Sequence, residues 1–521
     1  MKPIHPILIA LILLTSCNPT PNATSIPTAT SLPDNTPIPT TTPVPTPILT
    51  ATPVPTRAPV IRVGGSGEYT TIQSAILAAQ DGDTIQVAQG VYEENITIEA
   101  PKTLILEGGW DAEFTSRSDD SSSTIIDGMG MNSVLFISVE AGMNLNLTID
   151  GFTIQNGNGQ FGGGISADTR GTNSSLALTL KNNTITGSKA AIGGGGISAG
   201  SLSSDAIMSL TLVNNVIDGN ETEKNGGGIS IRAFGGLIET VLEGNTISEN
   251  LAGYFGSGIE VNCGEKGSIV ANFTNNTITG NAVTDPGGGG DGGGIAVYCA
   301  DPGSIAQVSM VNNVFTENSA GSGGGIFGSA LGDASSVITL TNNIIYGNTS
   351  HRSGGGIFSL SGAPDPDVEP GGQVTWRLAN NTITGNVSKG HGAGFGSNSA
   401  EGGSTSITSH NDIIWGNYDP NGSSQIHVGV FNEGSGDAAV HTSFSDIGSV
   451  LVFNGATYDS DNVIAQDPLF VDPANGDFSL QDGSSAIDMG DPEHNDGCRP
   501  PGKGTARADL GAYGGAANCG W

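Results

Sequence analysis

The chain has 521 residues, with 17 Lys and Arg against 50 Asp and Glu, and its net charge is −33. This excess of acid argues against a nucleic-acid partner, because no basic stripe can neutralise phosphates, and it disfavours unaided capture of a polyanion. With 81 glycines and 5% aromatic residues, the composition is unlike that of a typical globular enzyme.

Residues 1–17 resemble the signal peptide of a bacterial lipoprotein. Lys2 precedes an apolar run over residues 7–14, which is too short to span a bilayer. Leu14-Thr15-Ser16-Cys17 then matches the lipobox, and this resemblance implies cleavage before Cys17 and lipid attachment to it. We therefore expect an exported protein that meets a membrane through its lipid anchor only, with the folded part at the cell surface.

Residues 18–59 consist almost entirely of Pro, Thr, Ser, Ala and Ile, with repeated Thr-Pro steps. Because proline fixes φ and this composition cannot bury a core, the segment is predicted to be a disordered but semi-rigid tether. At roughly 3.1 Å per residue, its reach is on the order of 130 Å.

Residues 60–160 are predicted to hold an N-terminal cap and the first coils of a repeat. Thr70 and Gln73 match a capping box, and Gly82 is placed to close a helix over residues 70–82. The apolar stripe of this helix is predicted to be Ile72, Ile76 and Ala79. Residues 69–92 resemble the first segment of right-handed β-helix proteins related to pectate lyases and pectin esterases.

Residues 161–418 contain eight copies of one pattern, which reads Gly-Gly-Gly-Ile, an alternating Leu-rich run, and Asn-Asn-x-Ile-x-Gly-Asn. The copies step by about 30 to 38 residues, a period typical of a solenoid. The first motif ends at Ile165, Ile197, Ile229, Ile259, Ile295, Ile326, Ile357 and Phe395. The second is centred on Ile185, Ile217, Ile247, Ile278, Phe315, Ile345, Ile383 and Ile414.

Alternation with a period of two predicts strands with one buried face. Three short strands joined by tight turns in about thirty residues describe one coil of a parallel β-helix. Glycine and β-branched residues exclude a helical repeat. The predicted fold class is therefore all-β, a right-handed parallel β-helix with a short N-terminal capping helix.

The second Asn of each Asn-Asn step is predicted to stack into a ladder of side-chain amides about 4.8 Å apart, rather than into a polar binding stripe. Asp412 is predicted to break this column in the eighth copy, and the triple glycines are expected to meet the backbone demands of a turn. The column comprises Asn183, Asn215, Asn245, Asn276, Asn313, Asn343 and Asn381.

The coils are similar to the repeats of chlamydial polymorphic outer membrane proteins, which carry Gly-Gly-Ala-Ile and Phe-x-x-Asn, although the autotransporter barrel of those proteins is absent here. Residues 467–473, 476–480, 485–490 and 509–514 resemble the choice-of-anchor Q domain, which commonly closes bacterial surface β-helices. Residues 419–521 are therefore expected to form the last coils and a C-terminal capping module. These resemblances cover about residues 61–515 and imply the fold rather than an activity.

Cys263 and Cys299 each lie four residues after a first-motif isoleucine, so they share one column on adjacent coils. A rung spacing of about 4.8 Å suits a disulfide, and export makes the bond favourable. Cys498 and Cys519 remain for a second disulfide that closes the C-terminal module. No Cys/His zinc spacing appears.

His351, Arg352, Lys389 and His391 form the most concentrated basic cluster, on two neighbouring coils. A polysaccharide lyase needs such a base, together with Ca²⁺ or a cation that acidifies the abstracted proton. Gly390-His391-Gly392 resembles the Gly-His-Gly of polygalacturonases, but the paired Asp motif of that family is missing upstream. The alternative is that these candidate catalytic residues are solvated or anchor a loop.

No cofactor is predicted, although Ca²⁺ is a candidate ligand if Asp285, Asp291 and Asp301 converge beside the fifth coil. Ordinary turn chemistry is the alternative reading of these three residues. Tyr346 and Trp415 occupy one offset two coils apart and form either a small sugar platform or packing against another part of the chain.

We predict a lipid-anchored, extracytoplasmic protein that binds polysaccharide or a surface partner as an adhesin or structural protein. The alternative is a polysaccharide lyase or glycoside hydrolase of pectate-lyase-like fold, with Lys389, His391 and Arg352 as base and substrate clamp. Since almost everything periodic is architecture, function is expected in the departures from the period, at residues 282–291, 351–370 and 386–395.

Overall fold

The computed structural model describes residues 60–287, 289–362, 371–420, 425–430 and 436–521. Cys17, the tether and the part of the insertion at 363–370 lie outside the described residues, so the predictions for them are not addressed by the fold. Within the described ranges, no helix is long and apolar enough to cross a membrane.

The described chain winds through four parallel sheets, here called A, B, C and D, and successive coils run in the order A, B, D, C. Sheet A contains Val60–Val63, Asp83–Ala88, Thr103–Trp110, Asn144–Asp150, Ser175–Lys181, Ile207–Val213, Leu237–Glu243, Ser268–Thr274, Ile305–Val311, Ser335–Thr341, Gln373–Ala379, Ser404–His410, Asp437–Ser443 and Thr457–Asp461. Sheet B contains Gly90–Glu93, Thr124–Asp127, Thr153–Gln155, Thr184–Thr186, Val216–Asp218, Thr246–Ser248, Thr277–Thr279, Val314–Thr316, Ile344–Tyr346, Thr382–Thr384, Ile413–Trp415 and Asp446–Ile447.

Sheet C contains Ile96–Ile98, Leu135–Val139, Ile165–Thr169, Ile197–Ser201, Ile229–Phe234, Ile259–Gly264, Ile295–Cys299, Ile326–Ala330, Ile357–Ser361, Phe395–Ser399, Ile426–Val430 and Val450–Phe453. Sheet D contains Asn158–Phe161, Lys189–Gly193, Glu221–Thr222, Leu251–Ala252, Ala282–Val283, Ser319–Ala320, Thr349–Ser350 and Val387–Ser388. Stacked parallel sheets of this kind are typical of a parallel β-helix, which confirms the predicted fold class. Crossovers between parallel strands are almost always right-handed, in agreement with the predicted hand.

The register of the sheets confirms the two columns of apolar residues. Ile165 pairs with Ile197 and Ile197 with Ile229 in sheet C, while Ile185 pairs with Ile217 in sheet B. These side chains are fully buried and form one continuous core with the leucines of sheet A. Each coil therefore buries its apolar face against its two neighbours.

Sheet D was not predicted, because the sequence analysis assigned three strands to each coil. Most of its strands are only two residues long and bury one small side chain, such as Ala252 or Ser350. Two residues carry no hydrophobic period that a sequence analysis could detect.

The triple glycines allow the chain to turn sharply between sheets D and C. Gly323 has φ +62°, which is the left-handed region. A Cβ on Gly324 would lie 2.5 Å from the carbonyl oxygen of Gly355 on the next coil. Stacked coils thus approach too closely at this turn for any side chain, as the turn interpretation of the glycines requires.

Two buried asparagine ladders run along the coil where the sequence predicted one. In the predicted ladder, Asn276 donates from its backbone N and from Nδ2 to Oδ1 of Asn313, both at 2.9 Å. The second ladder uses the last Asn of the repeat, and its members are Asn220, Asn250, Asn281, Asn318, Asn348, Asn386 and Asn417.

Asp412 continues the first ladder instead of breaking it. Its Oδ1 accepts from N and Nδ2 of Asn381, and its Oδ2 accepts from Oγ of Ser409 at 2.6 Å. An acceptor is all that the ladder needs at its last position, and a carboxylate supplies one without a donor of its own.

The N-terminal cap consists of one short helix that covers the first coil. The helix spans Ile72–Ala78, and Ile72, Ile76 and Ala79 are buried as predicted. Its N-cap is Thr71 rather than Thr70, and no capping box forms because Gln73 contacts Thr97 instead. The carboxylate of Glu94 accepts from the N–H groups of Ile72 and Gln73, at the positive end of the helix.

The C-terminal module, residues 467–521, lies along the outer face of sheet B. Its backbone oxygens accept from Asn342 and Asn380, and its Gly511 N–H donates to the carbonyl of Asn411. Asn342 and Asn380 are the first members of Asn-Asn steps, Asn411 precedes Asp412, and all three have φ near +55°. The module also contains one antiparallel pair, Phe470–Asp472 with Asp477–Leu480, and two 3-10 turns, Pro473–Asn475 and Asn518–Gly520. A third 3-10 turn, Ser121–Ser123, precedes the strand Thr124–Asp127 of sheet B.

Both cysteine pairs form disulfides. Cys263 and Cys299 face each other on adjacent strands of sheet C with their Cα atoms 4.6 Å apart. The Cα atoms of Cys498 and Cys519 are 5.1 Å apart within the C-terminal module. Bonds of this kind persist in oxidising compartments, so they indicate a protein outside the cytoplasm.

Candidate functional site

Two members of the predicted basic cluster touch across neighbouring coils. His351 and Lys389 each follow a short strand of sheet D, and the Lys389 N–H donates to the carbonyl of Ser350. Lys389 Nζ lies 3.0 Å from His351 Nδ1. Burial, and then the charge of Lys389, lower the pKa of His351. The imidazole is therefore neutral at pH 7 and accepts from the ammonium group.

Arg352 and Asp291, which were predicted as a base and a calcium ligand, are partners of each other. Their side chains form an ion pair, and Arg352 Nε also donates to Ser322 Oγ at 3.2 Å. Burial raises the pKa of Asp291 to about 6, and Arg352 opposes that rise. The pair joins three successive coils, while 41% of the Arg352 side chain remains exposed.

The predicted calcium site does not assemble. Asp291 is held by Arg352, and Asp301 Oδ2 accepts from the Glu265 N–H at 2.9 Å. Over the described ranges, the one group of His, Cys, Asp and Glu atoms close enough to hold a metal does not include Asp285, Asp291 or Asp301. Both carboxylates bind partners on other coils, so these contacts are not the local turn contacts that were the alternative for these residues.

His391 belongs to a row of rings that the sequence analysis did not detect. Its ring stacks on His427 with centroids 4.7 Å apart, and His427 stacks on Phe453 at 4.5 Å. Burial, followed by the nearby His391, lowers the pKa of His427 to about 4. Both imidazoles of this stack lie against apolar surface, and His391 is exposed on the outer side.

A second group of rings lies on earlier coils, separated from the first by Gly396. Phe255 stacks on Tyr298 and Phe327 at 5.7 and 6.1 Å, and Phe327 stacks on Phe358 at 6.2 Å. Phe327, Phe358 and His427 each follow an inward-facing isoleucine of sheet C, so they occupy its outer face beside the glycine turn. We call the seven rings the ring row: Phe255, Tyr298, Phe327, Phe358, His391, His427 and Phe453.

Buried charges occupy the same outer face on earlier coils. The guanidinium of Arg232 lies 4.1 Å from the ring centroid of Phe161 and donates to Asp168 and Ser198. Burial lowers the pKa of Arg232, and the Coulombic attraction of Asp168 opposes this effect. This network joins three neighbouring coils, and because Arg232 and Asp168 are buried it leaves little surface for a ligand.

Sequence position alone could have located these side chains. The residue after the end of the first motif points outward. In the eight copies this column reads Ser166, Ser198, Ser230, Glu260, Ala296, Phe327, Phe358 and Gly396, and His427 continues it on the next coil. A departure from serine in a column of stacked residues is a detectable signal, although it does not show whether the residue is buried.

Tyr346 and Trp415 serve packing rather than a sugar platform. The Tyr346 ring meets Phe478 edge-on at 4.9 Å, and Trp415 packs in the cluster around Ile413 and Leu480. Both contacts dock the C-terminal module on sheet B, which is the packing alternative of the sequence analysis.

The fold and its disulfides define an extracytoplasmic protein of the parallel β-helix class. No known protein family and no curated protein matches the sequence. Among solved structures, the chain is similar to the pectate lyase Pel9A, at 12% identity over 87% of this chain and 96% of that one, with a TM-score of 0.41. It is also similar to the pectin methylesterase from Aspergillus niger, at 14% identity over 63% and 86%, with a TM-score of 0.27.

Proposed function

We propose that this protein is a lipid-anchored binding protein that holds a polysaccharide along the outer edge between sheets D and C. The observation that carries the proposal is the exposed end of the ring row, His391 and Phe453, together with the exposed side chains of Lys389 and Arg352, whereas Phe327 and Phe358 are buried. Attachment through Cys17 and the Pro/Thr-rich tether of residues 18–59 would hold this edge away from the membrane.

A long solenoid edge suits a polymer because each coil repeats the same contacts at about 4.8 Å. Ring edges and faces pack against the C–H groups of a sugar, while ammonium, guanidinium and imidazole groups donate to its hydroxyl or carboxylate oxygens. Each contact is weak, so affinity would come from their number along the edge.

The local charge also favours this edge over the rest of the surface. Across a chain of net charge −33, Lys389 and Arg352 place two cations on neighbouring coils. Arg352 is partly neutralised by Asp291, which leaves Lys389 as the stronger attraction for an acidic sugar. A surface protein partner remains the other outcome of a binding test.

A polysaccharide lyase is the second candidate, and one contact favours it. The Lys389 ammonium beside a neutral His351 pairs two groups that could exchange a proton with a substrate. In that reading Arg352 would clamp a uronate carboxylate, in competition with Asp291.

The test is a panel of neutral and acidic polysaccharides offered to the purified full-length chain, with and without Ca²⁺. Retention in affinity electrophoresis reports binding, and absorbance of unsaturated ends together with reducing ends reports cleavage. We expect retention without product, and at least tenfold weaker retention in Lys389→Ala. Lys181→Ala, an exposed lysine on sheet A, is the matched control and should retain wild-type binding.

Product formation that disappears in Lys389→Ala would replace the binding proposal with the lyase. A chain that retains none of the panel and makes no product would contradict both candidates. Binding that is equally weak in Lys181→Ala would place the surface elsewhere on the coil.

A further inference from the structure

The C-terminal module meets the coil at a cluster of two histidines and one aspartate. His410 is the last residue of Ser404–His410 in sheet A, and Asp491 and His494 belong to the module. His410 and His494 are 84 residues apart in sequence, so only the docked module brings them together. The cluster lies where sheet A meets the module, whereas the ring row follows sheet C and its turns.

Three nitrogen and oxygen atoms converge in this cluster. His410 Nε2 lies 3.4 Å from His494 Nδ1 and 3.4 Å from Asp491 Oδ2, and the last two atoms are 3.6 Å apart. In a tetrahedral zinc site with bonds of about 2.0 to 2.1 Å, ligand atoms are about 3.4 Å from one another. We propose that His410, Asp491 and His494 bind Zn²⁺ or a similar divalent transition metal.

Outer contacts orient the side chains of His410 and Asp491 as metal ligands require. His410 Nδ1 lies 2.9 Å from Ser443 Oγ, which can hold the proton on Nδ1 and leave the lone pair of Nε2 free. The other oxygen of Asp491, Oδ1, accepts from the Glu493 N–H at 2.9 Å. The Asp491 N–H donates to Oδ1 of Asn411, next to His410 on the coil.

Hydrogen bonds alone satisfy this triangle poorly. If His410 Nε2 and His494 Nδ1 both carry a proton and donate to Asp491 Oδ2, the two N–H groups face each other across 3.4 Å. If one of these nitrogens carries no proton, its lone pair lies against the carboxylate oxygen. A cation at the centre attracts all three atoms at once.

The donor set also indicates which metal would bind. Two imidazoles and one carboxylate suit zinc and its neighbours, whereas Ca²⁺ takes six to eight oxygen ligands. The side chains of His410 and Asp491 are 23% and 19% exposed, and that of His494 is 55% exposed. Solvent can therefore reach a fourth position, and the metal would fasten the module to the last coils.

The experiment titrates Zn²⁺ into the purified full-length chain, prepared without a polyhistidine tag, by isothermal calorimetry after removal of metal with a chelator. We expect one Zn²⁺ per chain and a higher Tm in its presence. His494→Ala and Asp491→Asn should each weaken binding at least tenfold and abolish the Tm increase. Far-UV circular dichroism checks that each variant is folded.

His441→Ala is the matched control, because His441 lies on the next strand of sheet A and pairs with Asp459 instead. It should bind Zn²⁺ like the wild type. Absence of stoichiometric binding to the wild type would overturn the proposal. Equal weakening in His441→Ala and in His494→Ala would overturn it too, since the metal would then lie elsewhere.

Discussion

Each Asn-Asn step gives two identical side chains opposite tasks. Asn275 adopts φ +57° and points outward, which turns the chain, whereas Asn276 is 1% exposed and forms the ladder. The Asn276 amide donates to Leu242 and Asn313, and its Oδ1 accepts twice from Asn245. Neighbouring positions thus differ in what a substitution should cost.

Asn276→Ala removes four side-chain hydrogen bonds and leaves buried partners unsatisfied. At about 1 kcal/mol net for each bond, we expect a loss of about 3 to 4 kcal/mol in the free energy of unfolding. Asn275→Gly should change it by less than about 0.5 kcal/mol, because glycine favours the same φ. Urea denaturation measures both, and similar losses in the two variants would contradict the ladder account.

Asp446 is a buried carboxyl whose pKa is raised to about 7, chiefly by burial. The unfolded chain releases this proton near pH 4, so the folded state binds it more tightly and stability falls as pH rises toward 7. Between pH 5.5 and 8 this group lowers the free energy of unfolding by an amount on the order of 2 kcal/mol.

Asp446→Asn should therefore raise Tm at both pH values, and more at pH 8 than at pH 5.5, because the wild type loses further stability from this group between the two. Thermal denaturation followed by circular dichroism at the two pH values measures the difference. Asp437→Asn, at an exposed position, is the control and should shift Tm equally at both. An equal shift at both pH values for Asp446→Asn would show that its charge is not the cause.

At the scale of elements, the sequence predicted what repeats and missed what is short or aperiodic. Both apolar columns, the sheet C cysteine pair and the stripe on the capping helix followed from spacing alone. Sheet D was not predicted because most of its strands are only two residues long. The N-cap was predicted one residue too early because Thr70 and Thr71 are adjacent and either residue type can cap a helix.

The candidate site was predicted only in part, for a physical reason. Column counting placed His351 beside Lys389, and the structure has them in contact. Column counting could not show that Arg352 pairs with Asp291 two coils earlier. The partner of a long, flexible side chain depends on distance and charge and not on its column. The ring row could not be predicted from columns either, because it depends on which side chains are buried behind the glycine turn.

The C-terminal module has no coil period, so its placement along sheet B was not foreseeable from register. Phe478 is 3% exposed and contacts Tyr346 on the coil and Phe470 in the module. Phe478→Ala should cost about 3 kcal/mol and expose residues 467–521 to protease before the coils are cut. Limited proteolysis with mass spectrometry measures the order of cleavage, with Val471→Ala, at an exposed position, as control.

Coils that are cut before the module in Phe478→Ala would contradict a separately docked module. Unchanged proteolysis in that variant would show that the ring contacts do not hold it.

At the scale of the whole molecule, the stacked coils of this acidic chain have one edge that differs from the others. The net charge of −33 keeps the chain soluble and repels most polyanions, while the ring row and Lys389 give one edge aromatic surface and a cation. The docked module covers part of the outer face of sheet B, while sheet A keeps exposed side chains such as Ile207 and Val241. The central claim is that ligand binding belongs to this edge.

The most direct test is the dissociation constant for the polysaccharide that the panel retains, measured by calorimetry on the full-length chain. His391→Ala/Phe453→Ala alters the exposed end of the ring row, and Lys181→Ala/Val241→Ala makes a matched change on sheet A. We predict at least tenfold weaker binding for the first, about 1.4 kcal/mol, and wild-type binding for the second. Wild-type binding by the first variant, or an equal loss in both, would contradict the account.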